Sequence, residues 1–349
     1  MYSVMAKRYF HGFDPGEAET KLRKVAKAPE RSLPAIHQLN DAVALPGLPG
    51  LYDRHGYRID AAAVRTVSSD APAIRTKNLH KGIAGHVALP SGLEQVDNPV
   101  LFGGHLMKHY GHFIIESMSR MWARDYFPAL PILFTSPRKW SQAPAYGVDV
   151  LAALKIFDRA LLVDKPTIFR TVVCPSPAVE YRWKAFAVAD EPHIAVANAL
   201  DGPARRKWER PVYLTRSGLA SDLRKSEAEP ELEAELSVRG FDVIAPEFLS
   251  LQDQIHLFEN VPLIAGTLGS ALHTAMFSRS RGLLALLNWG RGFEHYLLVD
   301  EVKQHTAHYI KCIQRRNGDA EYVLDVAQAL RLMEQAGLLN YRPSIAFST

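Results

Sequence analysis

From Val87 onward, short β-branched or apolar runs alternate with helical patterns, and this alternation constrains the fold more than any other feature of the chain. Strands that alternate with helices predict a mostly parallel sheet with helices on its faces. The runs at 100–102, 132–135, 160–163 and 168–174 read as strands. A long helix is expected over 108–126, ended by Pro128, and a shorter one over 146–157. Asp190 reads as the cap of a helix over 190–200 that Gly202-Pro203 stops, and the polar run 204–210 reads as a linker. The alternation then restarts: strand 212–215, helix 228–239 closed by Gly240, strand 241–244, helix 250–259, strand 261–265, helix 270–277, strand 283–287 and a last amphipathic helix over 322–339. The reading is therefore an α/β chain of two Rossmann-like domains, 1–203 and 204–349, facing a central cleft. Strand carboxyl ends and helix N-termini of both halves line such a cleft, which makes it the expected ligand site. The last helix is a candidate to pack back on the first domain. Residues 1–80 carry weaker signals, a charged helix over 17–28 and the turns Pro46-Gly47, Pro49-Gly50 and His55-Gly56.

At 349 residues the chain exceeds the size at which one hydrophobic core stops growing, which agrees with two domains. Neither an internal repeat nor a low-complexity tract is evident. With 41 Lys+Arg against 37 Asp+Glu, the charge of +4 is too slight and dispersed to imply a nucleic-acid partner, though it permits local anion sites. Two cysteines, Cys174 and Cys312, lie far apart, so neither a disulfide framework nor a zinc knuckle is indicated and a reducing compartment fits. The first residues, with Lys7, Arg8 and His11, do not read as a signal peptide. The longest uncharged apolar stretch, 261–277, is broken by Pro262, Gly266, Gly269 and His273 and does not read as a membrane span.

Three segments carry candidate chemistry. In the first, an apolar strand passes through Gly266, Thr267 and Gly269 into a helix expected to start at Ser270. Free N–H groups at such a start favour a phosphate or diphosphate, with the Thr267 and Ser270 hydroxyls as further donors. An ordinary strand-to-helix turn reads the same way. In the second, Tyr213-Leu-Thr-Arg-Ser-Gly218 places Arg216 at a strand's carboxyl end, with Arg224 and Lys225 following. Arg binds phosphate oxygens in a fork, and fixed positive charge stabilises a departing diphosphate; a solvated basic turn is the alternative. The third segment spaces His105, His109, His112 and Glu116 by 4, 3 and 4, one face of a continuous helix. It can be read as a metal site, as a general base (His112 oriented by Glu116, or Glu116 itself), or as a buried helix with satisfied histidines.

The block His109-Tyr-Gly-His-Phe-Ile-Ile-Glu-Ser-Met-Ser-Arg-Met-Trp122 resembles the H-F/W-x-x-E-x-x-x-R-x-W pattern of glycosyltransferase family 61, in its bacterial capsular and exopolysaccharide type. Tyr213-Leu-Thr-Arg216, Arg224-Lys-Ser-Glu227, the run 240–255 and the 266–277 loop follow in the family's order, so the resemblance spans about residues 86–340. It implies a GT-B-like inverting glycosyltransferase that moves a sugar from a nucleotide-sugar donor to a saccharide or lipid-linked acceptor. The first domain would be acceptor-side, with His112 and Glu116 catalytic. The second would bind the donor through Arg216, Arg224, Gly266, Thr267, Gly269 and Ser270. No Asp-x-Asp metal motif is evident, so no metal or other cofactor is expected beyond the nucleotide sugar as cosubstrate. The implied setting is cytoplasmic, at the inner face of the plasma membrane. Leu268 and Thr274 stand where the family has His and Asn, and Ser226 replaces an Asn before Glu227; His273 is a candidate substitute for the lost His. These departures also leave open a catalytically weakened protein serving as a binding or scaffold subunit, and the histidine run leaves open a metal-dependent hydrolase.

Overall fold

The computed structural model describes residues 6–23, 29–63, 85–135, 139–180, 183–202, 208–219, 226–279, 282–290, 292–316 and 321–340. Its strands are β1 (Lys7–His11), β2 (Ile36–Ala44), β3 (Glu94–Val96), β4 (Val100–Gly104), β5 (Ile132–Phe134), β6 (Ala160–Leu162), β7 (Thr167–Pro175), β8 (Val212–Leu214), β9 (Asp242–Ile244), β10 (Ile264–Thr267), β11 (Leu283–Asn288), β12 (Thr306–Lys311), β13 (Ile313–Arg316) and β14 (Glu321–Leu324). The chain divides into two compact units, residues 25–200 and residues 1–24 with 201–349. The second boundary thus falls at 200/201, and the N-terminal segment expected in the first domain clusters with the C-terminal half.

In the unit of residues 25–200 the strand order is β2-β7-β4-β5-β6, with β3 also on β7. β4 runs parallel to both β5 and β7, whereas the edge strand β2 is antiparallel to β7. Every residue of β4 is buried, which is why Val100-Leu-Phe reads as a continuous apolar run without alternation. Its core gathers Leu51, Val100, Phe102, Leu133, Phe169 and Val172.

The other unit holds a six-stranded, all-parallel sheet in the order β1-β12-β11-β10-β8-β9. Counted from β8, its first five strands have the doubly wound order 2-1-3-4-5, and β1 extends the far edge, with Lys7 opposite Thr306. β8 is the first strand and has neighbours on both sides, so the direction of winding reverses between β8 and β10. Ligands of such sheets bind at the strand carboxyl ends beside this reversal. Arg8 anchors β1: it pairs with Glu301 at 2.6 Å and donates to the Leu297 carbonyl at 2.7 Å.

Several expectations shift. The helix expected over 108–126 begins at Tyr110, passes through a π-helical stretch, Phe113–Ser117, and tightens to 3-10 geometry over Met118–Ala123. Asp190 is the first residue of its helix, Asp190–Ala199, and not its cap. The strand expected at 261–265 pairs from Ile264 to Thr267, because Pro262 offers no ladder N–H. The segment Ser270–Phe277 is a 3-10 helix. The first residues assigned to the last helix form β14 instead, and Asp325, whose carboxylate accepts the Gln328 N–H at 2.8 Å, starts the helix Val326–Gln335. That helix packs within the core of the C-terminal unit through Ala329, Leu332 and Met333. The helix expected over 17–28 is observed from Pro15 to Arg23, and residues 24–28 and 203–207 lie outside the described residues.

Candidate functional site

At the carboxyl end of β4 the chain turns through Gly104 at φ +100°, a conformation side chains resist, and its carbonyl accepts the Thr135 N–H. His105 follows in the loop, His109 precedes the first helical residue, and His112 stands on the opening turn. The four residues spaced 4, 3 and 4 therefore do not share one continuous helix. Among the described residues no three His, Cys, Asp or Glu side chains group in a way that could hold a metal ion.

His112 and Glu116 do meet. His112 Nδ1 lies 2.8 Å from Glu116 Oε1, with the His112 side chain 35% exposed and that of Glu116 7% exposed. An ionised carboxylate has no hydrogen to give, so Nδ1 donates and the lone pair of the neutral imidazole is left on Nε2. The His109 ring sits 4.8 Å from that of His112. π-Helical insertions of this kind recur at functional sites, because they re-aim side chains within an otherwise regular helix.

One turn on, Arg120 is buried. Its guanidinium donates to the carbonyls of Ala61 (3.0 Å), Ala63 (2.9 Å) and Pro175, and it stacks over Phe102 at 5.3 Å. Burial pulls its pKa down, against the pull of Cys174 beside it. Trp122 Nε1 donates to the Ser176 carbonyl at 2.9 Å. The Arg and Trp of the sequence block thus tie the helix to the backbone of residues 61–63 and 175–176, while His112 and Glu116 pair with each other. His105 shares a small cavity with Glu116 and Arg120. Burial pushes its pKa down to about 4, with the Glu116 charge pulling the other way.

In the C-terminal unit Arg216 follows β8 and reaches across the winding reversal to β10, where Nη1 donates to the Leu268 carbonyl at 3.2 Å. A Cβ on Gly269 would lie 3.4 Å from that same nitrogen, so the glycine permits the close approach. The Arg216 N–H donates to Glu229 Oε1 at 3.2 Å, which also accepts the Tyr213 hydroxyl at 2.9 Å. Burial raises the pKa of Glu229. Thr215 and Ser217 hydroxyls both donate to Glu233. A cavity here is lined by Arg216, Glu229, Thr267, Leu268, Trp289 and Leu324. Thr267 Oγ1 is buried without a hydrogen-bond partner.

Of the six residues expected to bind the donor, Arg216, Thr267 and Gly269 come together. Ser270 opens the adjoining 3-10 helix, whereas Gly266 lies within the sheet between Leu214 and Leu286. Arg224 and the neighbouring Lys225 lie outside the described residues. The anion-site argument from an α-helix N-terminus weakens, since the segment after Gly269 is not an α-helix. His273 stacks on Tyr296 at 4.4 Å, and the Tyr296 hydroxyl donates to the Gly269 carbonyl at 2.9 Å, so this pair braces the loop. Sequence reasoning missed Glu229 and Trp289. Their signals were available: Glu229 sits on the first turn of the helix after the Arg-Lys-Ser-Glu run, and Trp289 just beyond the end of an apolar strand.

No helix of the described residues is long and apolar enough to cross a membrane. Among curated proteins none matches the sequence. The model of the family described as Glycosyltransferase 61 matches residues 110–284, half of the chain. The match opens on the turn that carries His112, takes in Glu116, Arg120 and Trp122, and runs past Arg216 and the 266–270 loop into β11. With His112, Glu116 and Arg216 inside one continuous match over half of its length, the chain belongs to glycosyltransferase family 61 and is a glycosyltransferase.

Proposed function

We propose that the chain is an inverting glycosyltransferase of the GT-B type, which takes a sugar from a nucleotide-sugar donor to a saccharide or lipid-linked acceptor. The process it serves is assembly of a bacterial capsular or exopolysaccharide, at the cytoplasmic face of the membrane. The observation that carries the reading is the 2.8 Å contact between His112 Nδ1 and Glu116, which leaves Nε2 as the basic nitrogen.

In the step we envisage, Nε2 of His112 takes the proton of the acceptor hydroxyl, and Glu116 stabilises the imidazolium that results. The acceptor oxygen then bonds to the anomeric carbon on the face opposite the nucleoside diphosphate, whose bond to that carbon breaks. The configuration inverts, and the bonding electrons leave with the diphosphate. Its charge is met by Arg216, with Thr267, Ser270, Arg224 and N–H groups near Gly269 as further donors. These protein groups supply the positive charge, so no essential divalent cation is expected.

A thermal-shift panel of nucleotide sugars tests the donor half. At least one member should raise the melting temperature, and Arg216→Ala should remove the rise; a full panel without a shift counts against the reading. His112→Ala and Glu116→Ala should each lose turnover while keeping donor binding, and full activity in both would mean the base lies elsewhere.

One observation favours a second reading, a weakened relative that binds without efficient transfer. Leu268, where the family carries His, is buried and offers the loop only its backbone. Leu268→His would decide: donor hydrolysis or transfer gained by the variant and absent from the parent supports the weakened form.

A further inference from the structure

His105 lies between β4 and the 110–123 helix, five residues before the family match begins. Its place is fixed through its backbone. Ser117 Oγ donates to the His105 carbonyl at 2.6 Å and accepts the Met107 N–H at 2.9 Å, so the loop is fastened to the residue that follows Glu116. The imidazole nitrogen Nδ1 is enclosed and makes no hydrogen bond. Leaving a buried polar atom unsatisfied costs about 1–3 kcal/mol, so an enclosed nitrogen at this position calls for a partner.

The cavity wall shows which partner is at hand. Besides His105 it is made by four segments: Gly50, the Ala62-Ala63 pair, Phe102 and Gly104 of β4, and the helix residues Glu116 and Arg120. The glycines, alanines and Phe102 bring no side-chain hydrogen-bonding group, and the Arg120 guanidinium donates to backbone carbonyls. Glu116 brings the one side-chain acceptor of the wall. With about 10 Å³ of free space, the cavity lies at the lower limit for one bridging water.

We propose that His105 is a positioning residue for the His112–Glu116 pair: its Nδ1–H faces the Glu116 carboxylate across the cavity they share, through one bridging water, and holds that carboxylate on His112. The inference rests on the reading of that pair given under the proposed function. Half-buried and neutral at ordinary pH, His105 is a donor that brings no charge of its own, so it stabilises the carboxylate without competing with His112 for the role of imidazolium. The titratable and charged groups around Glu116 are then His112 and Arg120 from its own helix and His105 from the loop, with His109 beside His112.

Carbon-13 and nitrogen-15 NMR of the full chain, labelled in Glu and His, tests this without any substrate. In the parent protein at neutral pH, Nδ1 of His105 should show the shift of a protonated nitrogen; the shift of a bare acceptor nitrogen overturns the proposal even if no variant folds. In His105→Leu the Glu116 carboxyl should titrate about one pH unit higher, a tenfold change, because the carboxylate has lost a donor. His105→Asn, which restores an N–H near the position of Nδ1, should return the midpoint toward the parent value. An unchanged midpoint in His105→Leu, or equal rises in the Leu and Asn variants, would show that the ring merely fills space. Failure of the nucleotide-sugar panel would sink the assigned function and leave this titration untouched, so the two failures are distinguishable.

Discussion

At the carboxyl end of β4 the chain gathers imidazoles and a carboxylate, whereas at the ends of β8 and β10 it gathers a guanidinium, a hydroxyl and a buried carboxylate. The first set offers ring nitrogens that can donate or accept a hydrogen; the second offers a guanidinium, which only donates. Their supports are also opposite in sign. Arg120 donates to the carbonyls around the first cluster, while Glu229 accepts from the Tyr213 hydroxyl and the Arg216 N–H under the second. The contrast teaches that the imidazole–carboxylate pair and the guanidinium cluster are built on separate sheets, so if they serve the proton transfer and anion binding proposed above, substitutions should separate the two.

The largest effect is expected from His112→Ala, which should lower turnover about 10³-fold with the donor-induced thermal shift intact. Loss of both together would break the contrast. Arg120→Met should come next, a loss of about 3 kcal/mol in urea unfolding, because three buried carbonyls lose their donor. A neutral result would remove Arg120 as the prop of the first cluster. Arg216→Ala should weaken donor binding about 10- to 100-fold by titration calorimetry and leave turnover at saturating donor less affected than His112→Ala does.

A pH series probes both halves at once, since each carries a histidine held neutral by burial. The pKa of His105 in one unit and of His308 in the other is pushed down to about 4; for His308 the neighbouring His11 adds to the effect of burial. Their pKa values in the unfolded chain lie near 6.5, so between about pH 4 and 6.5 the unfolded chain binds more protons than the folded one. The stability from these groups is complete above about pH 6.5 and is lost progressively as pH falls toward 4, at most about 3 kcal/mol for each. Denaturant midpoints that stay flat over this window would overturn the assignment of neutral imidazoles. The smallest change should be Thr267→Val, about fivefold in donor affinity, a sharper test of whether its enclosed hydroxyl touches the ligand.

Much of this was legible in the sequence where a strand is buried on both faces. β4 and β11 read as apolar runs, and Ser250 and Gly240 mark a helix start and stop where the structure has them. Edge strands were not legible: β1 and β2 carry mixed, partly exposed residues, and partners hundreds or scores of residues away decide their pairing. Helix type was equally hidden. Nothing in the spacing of Phe113–Ser117 or Ser270–Phe277 distinguishes π or 3-10 winding from α, because local tertiary bonds such as that of Ser117 set it. The pairing of His112 with Glu116 survived because residues four apart still meet across the distorted turn. The link from Arg216 to Leu268 needed the strand order, which only the folded chain reveals.

The seating of β1 against β12 has a consequence for how the protein is made. Residues 7–11 leave the ribosome long before residues 306–310, the only stretch they pair with among the described residues, has been translated. Arg8 meanwhile waits for Glu301. Residues 7–11 therefore stay without their strand partner until the chain has been made past residue 310, and the edge of that sheet closes last. A change within residues 7–11 would be felt there, in the unit whose other strands come from residues 201–349.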